Sequence, residues 1–200
     1  MQLKTHISFL LIFAVFLVSE KSIAQSNNST GRAAKTMSRS YGRTGVLLDT
    51  AVYYGQTEAT ANPVAANQWQ YTTSIYDIKL GYVMSNSFYW GGEYTTRTDN
   101  QVFVTNTSGS AAGAGVGYFF DNGFNFRVYY KFNEVYGSYA DGTGYQADLG
   151  YAVNVTSNFY LGFVVSVRQT TFKSNGTITG FDFWTRKETY PFLTLGFLIN

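Results

Sequence analysis

The sequence is short of cysteine, histidine, proline and long apolar runs, and each shortage narrows what the chain can be. It has no cysteine, which excludes a disulfide-stapled exported domain and any thiolate metal site. Its one histidine is His6, inside a leader-like segment, so the rest of the chain cannot assemble a Ser–His or Asp–His arrangement. Only 2 prolines interrupt whatever extended structure the chain forms. Neither sign of charge dominates: 14 Lys and Arg stand against 12 Asp and Glu. Discounting Lys4, Lys21 and Glu20 of the leader leaves 12 against 11, without the basic patch a nucleic-acid binder needs.

The one long apolar run is ISFLLIFAVFLV, directly after MQLKTH. With a cation before it and small residues Ser22 and Ala24 after it, it reads as a signal peptide cleaved between Ala24 and Gln25. It is too short for a stable membrane anchor. Residues 1–24 are therefore the expected signal peptide, and 25–42 a flexible lead-in. Around that lead-in Arg32, Lys35, Arg39 and Arg43 occur with no acid. Residues 43–200 form one domain.

What that domain does hold is 17 Tyr, 17 Phe and 20 Gly, a composition suited to strands and tight turns. No useful 3.6-residue period comes after the leader, whereas period two is pervasive. In FNFRVYYKFN, Phe124, Phe126, Val128, Tyr130 and Phe132 share one face, and Asn125, Arg127, Tyr129, Lys131 and Asn133 the other. In AAGAGVGYFF, Ala112, Ala114, Val116, Tyr118 and Phe120 oppose Ala111, Gly113, Gly115, Gly117 and Phe119. Similar alternation marks about 46–55, 74–84, 88–97, 144–153, 159–170 and the closing stretch from Phe192. That makes eight strands.

Connection lengths orient them. MSNS, FDNG and VNVTSN are short, while QTEATANPVAANQW, TDNQVFVTNTSGS, VYGSYADGT and KSNGTITGFDF are longer and polar. Short turns at one end and longer loops at the other fit an outer-membrane barrel, with both termini on the short-turn side. GAGVG is not a phosphate loop, because it lacks GxGxxG spacing and runs into a turn and a strand instead of a helix.

Alternation alone does not say which face points inward. An eight-stranded interior is just wide enough for its own side chains, so rows of Phe, Tyr, Leu and Val would overfill it, while Gly and Ala suit the crowded side. The other face carries Asp49, Asp77, Lys79, Glu93, Arg97, Arg127, Lys131, Asp148 and Arg168, with Arg186 and Glu188 near the end. These mixed signs can pair as a polar network inside the barrel, whereas the apolar rows carry no charge and end in aromatics, as a membrane girdle requires. The fold expected is all-β: an eight-stranded antiparallel up-and-down transmembrane β-barrel.

From about Gly42 to Asn200, this layout and the closing strand TLGFLIN resemble the small eight-stranded outer-membrane β-barrels, the OmpX, OmpA transmembrane-domain and OmpW-like group. The resemblance implies a Gram-negative outer-membrane location, with outer-membrane lipid and lipopolysaccharide around the barrel and loops free for a surface partner or adhesion. We expect a monomer with no catalytic residue, cofactor, metal or nucleic acid, and a filled polar interior. A narrow channel for small or hydrophobic solutes is the alternative that the OmpW-like resemblance allows. Trp69, Tyr71, Ile178, Phe181, Phe183 and Trp184 in the first and fourth long connections read either as interface anchors or as a sticky surface.

Overall fold

The computed structural model describes residues 44–59, 69–101 and 106–199. The expected signal peptide and lead-in, and the side chains of Trp69 and Tyr71, lie outside the described residues. The strands are β1 (Gly45–Ala59), β2 (Trp69–Val83), β3 (Phe88–Gln101), β4 (Thr107–Phe119), β5 (Phe124–Tyr136), β6 (Tyr139–Asn154), β7 (Phe159–Phe172), the two-residue β8 (Ser174–Asn175) and β9 (Trp184–Ile199). The eight long strands each pair antiparallel with two neighbours, and β1 against β9 joins the chain's first and last strands. The result is a closed, eight-stranded, up-and-down antiparallel barrel.

Its stagger can be read from the register. From Val46 the paired residues run through Tyr82, Trp90, Val116, Val128, Ala147, Val167 and Thr189. Extending the β1–β9 register then returns to Gln56 instead of Val46. The barrel is thus sheared by about ten residues, consistent with strands tilted by roughly 40° to its axis.

Two of the short turns repeat one design. The Met84 N–H donates to the Phe88 carbonyl at 2.8 Å and the Ser87 N–H to Met84 at 2.9 Å; Phe120 with Phe124, and Gly123 with Phe120, match them at 2.8 and 3.1 Å. The fourth residue is left-handed in each, Ser87 at φ 66° and Gly123 at 92°, as a type I turn closing into a bulge requires. The Asn86 and Asn122 side chains each accept the next strand's first N–H, both at 3.2 Å. Asparagine is placed in both turns because its short amide mimics a backbone turn.

At the opposite end two expectations need correction. VYGSYADGT is not a long loop: β5 and β6 continue until only Gly137 and Ser138 join them, so the segment is a protruding hairpin. Asn133 does not face inward. It is exposed at φ 53°, inside an irregularity between Lys131 and Glu134 in the β5–β6 register. A bulge adds one residue to one strand and re-aims the residues after it, so Glu134 turns inward where strict alternation would have pointed it out. The final strand also begins at Trp184, earlier than expected, and β8 pairs with Tyr139 and Ala140 of the hairpin.

The face assignment otherwise holds in every long strand. Val46, Leu80, Trp90, Val116, Phe126, Leu149, Leu161 and Leu195, one from each, are exposed on the outside. The glycines of β4 face their largest inner neighbours directly: Gly113 opposite Lys131, Gly115 opposite Tyr129, Gly117 opposite Arg127. A Cβ on Gly117 would stand 2.5 Å from the Arg127 Cγ, and one on Gly115 would run into the Tyr129 ring. GAGVG is thus the thin wall against which long side chains from β5 lie.

Candidate functional site

The interior is layered along the barrel axis. Near the short turns Leu47, Val83, Tyr89, Phe119, Tyr129, Ala152 and Tyr160 form an apolar floor. Cations rest on its rings: Lys79 Nζ is 5.3 Å from the Tyr129 centroid, and the Arg127 guanidinium 5.7 Å from that of Phe119. Each contributes the attraction of a positive charge for an aromatic face.

Above the floor lies the main charged layer, delivered by alternate residues of six strands. Arg127 on β5 reaches across to Asp49 on β1. Lys79 on β2 sits among Asp148 at 2.5 Å, Glu93 at 3.3 Å and Asp77 at 3.8 Å. Arg168 binds Asp77 at 2.5 Å and Lys131 binds Glu93 at 2.7 Å. Neutral groups occupy the remaining positions: the Thr95 hydroxyl donates to Asp77 at 2.9 Å, and the Gln146 amide donates to Glu93 at 2.8 Å and Asp148 at 2.9 Å. All eight are buried, and the four acids balance the four bases, as charges removed from water require.

A second charged layer lies towards the loop end. Arg97 is held by Asp99 at 2.8 Å and by both oxygens of Glu188 at 2.6 and 2.7 Å. Arg186 bridges Glu134 at 2.5 Å and Glu188 at 3.0 Å. Hydroxyls complete the carboxylates: Tyr136 donates to Asp99 at 2.5 Å, Tyr190 to Glu188 at 2.9 Å and Thr170 to Glu134 at 2.8 Å. Arg186 also lies over Tyr136, with its guanidinium 4.5 Å from the ring centroid.

All eleven residues expected in the polar network face inward. Asp49, Asp77, Lys79, Glu93, Arg97, Arg127, Lys131, Asp148 and Arg168 are buried, and Arg186 and Glu188 half-buried. Register divides them into two layers. Sequence reasoning missed Asp99 and Glu134, while Gln146, which alternation places on the inward face beside Asp148, was left out of the network because it carries no charge. For Asp99 the signal was present, since it continues the inward row of Glu93, Thr95 and Arg97. For Glu134 it was not, because the bulge at Asn133 reverses the alternation.

The aromatics of the fourth connection divide. Phe181 and Trp184 pack on Tyr139 with centroids at 5.6 and 4.6 Å, and Trp184 stacks on Phe172 at 5.4 Å. Ile178 and Phe183 instead remain 52% and 62% exposed. Among the described residues no cluster of His, Cys, Asp or Glu has the arrangement of a metal site. No family of known proteins, curated protein or solved structure matches this chain.

Proposed function

We propose that this protein is a non-enzymatic outer-membrane β-barrel with a filled polar interior. Its role is structural, with the loop-end surface available for interaction or adhesion. The observation that carries this reading is the sorting of charge. Between the aromatic rim at the short turns (Tyr82, Phe88, Tyr118, Phe124) and the tyrosines towards the loops (Tyr54, Tyr76, Tyr94, Tyr130, Tyr145), the outer face carries no charged side chain. A surface facing water would be studded with charges of both signs; one facing hydrocarbon cannot carry them. On β5 the apolar row from Phe124 to Phe132 rises by roughly 20 Å after tilt, close to the height of a bilayer's apolar band.

Filling is supported by the paired layers, and by the small size of the cavity between them, about 20 Å³, room for little more than one water. A structural role is supported by the absence of histidine beyond His6 and by carboxylates already committed to cations. The test is extraction and then conductance. The protein is expected to stay with membranes through a high-salt wash, to need detergent for release, and to be silent in planar bilayers. Cell or matrix binding that disappears when the connections around Ile178 and Phe183 are trimmed would support the surface role. Reproducible discrete openings would transfer the assignment to a narrow channel for small solutes. Altered acyl chains after incubation with outer-membrane lipids would overturn the non-enzymatic reading.

A further inference from the structure

The cavity lies between the two charged layers, and its wall is not balanced. Arg97, Lys131, Arg168 and Arg186 line it, against only Glu134 and Glu188. The other acids that neutralise these cations, Asp77, Glu93 and Asp99, are not on the wall.

Donor capacity on that wall is incompletely used. A guanidinium carries five N–H donors and no acceptor. Arg97 is bonded through Nε and Nη1, and Arg168 through Nε and Nη2. That leaves one nitrogen of each without a hydrogen bond among the described residues. The Nη1 of Arg186 is fully buried and likewise without a partner. The hydroxyls alongside donate to carboxylates, Thr95 to Asp77, Thr170 to Glu134 and Tyr136 to Asp99, and among the described residues no hydroxyl on the wall accepts from these three nitrogens. Of the three nitrogens the Arg186 Nη1 is the fully buried one, and leaving a charged donor buried and unmet costs more than leaving a neutral one.

We propose that this cavity binds a single small anion of the halide class, chloride under ordinary conditions. The guest must accept several hydrogen bonds from different directions, and the size of the hole restricts it to roughly one water's volume. A water molecule would accept some of those bonds but bring two protons of its own, and both oxygens of each carboxylate on the wall, Glu134 and Glu188, are already engaged by arginines and hydroxyls. A halide brings none. Phosphate and sulfate are excluded by size. The interior as a whole holds seven acids and six bases, so the preference is local: it comes from four bases facing two acids across one small volume. The anion would tie the Arg97–Arg186 layer to the Lys131–Arg168 layer.

The experiment uses the full chain in detergent micelles. Crystals grown or soaked in bromide are expected to show an anomalous peak between Arg97, Lys131, Arg168 and Arg186. The thermal midpoint is expected to be about 3 °C higher in sodium chloride than in sodium gluconate of equal ionic strength. Ala111 lines the same wall, so Ala111→Leu fills the hole without touching a charge and should abolish the chloride dependence while the barrel remains folded. Should that variant not fold, Lys131→Met supplies the same comparison by removing one of the four cations. Equal midpoints in the two salts together with no bromide peak would overturn the proposal and leave a water-filled gap. The readout needs only a folded barrel, so failure of the membrane assignment would not be mistaken for failure of the anion site.

Discussion

Lys79 shows what a single residue decides in this interior. Its ammonium is fully buried and met by three carboxylates. Lys79→Met removes the cation and leaves Asp148 and Glu93 facing each other with too little counter-charge. Unfolding in urea is expected to show a loss of about 3–5 kcal/mol. Removing Asp148 as well, in Lys79→Met with Asp148→Leu, should recover much of that, because a buried pair often contributes little net stability while a broken one is costly. A double variant no more stable than the single one would show that the network is indivisible. Gly115 makes the complementary point about space. Gly115→Ala pushes a methyl into the Tyr129 ring, and a loss of about 1–3 kcal/mol is expected. Shrinking the ring in Tyr129→Leu should make the same glycine substitution much cheaper, a coupling that a double-mutant cycle would measure.

At the scale of the element, the bulge in β5 and the seam between β1 and β9 carry the predictions. Asn133 stands in the left-handed region, which Asn and Gly tolerate and β-branched residues do not. Asn133→Gly should therefore leave stability within a few tenths of a kcal/mol, while Asn133→Val should cost about 1–3 kcal/mol. A neutral Asn133→Val in the same urea titration would mean that the bulge is not what turns Glu134 inward. The seam is a contrast between neighbours. β1 pairs with β2 through Ala59↔Trp69 and β9 with β7 through Phe172↔Trp184, but the β1–β9 ladder stops at Val52↔Leu193. Pro191, with no N–H to donate, lies just past that point, where a strand behaves as an edge. Rings bridge the gap instead, Tyr53 lying 4.6 Å from Tyr190 and 6.0 Å from Phe192. In hydrogen exchange, the amides of Tyr53–Gln56 and Thr185–Phe192 that point into the seam are expected to exchange well before those of Val46–Val52. Uniform protection along both strands would show that the seam is closed throughout.

For the whole molecule the prediction concerns solvent. If the outer face meets hydrocarbon, Val116→Arg, in the middle of the β4 outer row, should cost about 2–4 kcal/mol when the protein folds into bilayers. Arginine at Thr98, which lies further towards the loops on β3, should cost little. Equal effects at the two positions in lipid vesicles would count against the membrane assignment. The same scale explains which parts of the molecule could be read in advance. Strand number, order, the inward or outward face of nearly every residue and the eleven network positions all stem from period two and turn chemistry, which are local properties. The hairpin at Gly137–Ser138 was missed because VYGSYADGT is polar enough to pass for a loop. Its strand character comes from pairing with β6 and, through Gly109↔Tyr136, with β4.

The sequence by itself determined an all-β chain whose strands each have one apolar and one polar face, because side-chain alternation is fixed by the geometry of extended backbone. It also determined the sign and size of the groups on each face. What only the tertiary structure decided is which of those groups meet. Closure with a shear of about ten residues offsets each strand from its neighbours. That offset sets Arg127 against Asp49, Arg168 against Asp77 and Arg97 against Glu188, at separations of 78, 91 and 91 residues along the chain. It also leaves four cations around one small cavity. No local pattern encodes such meetings, because each depends on the accumulated stagger of the strands between.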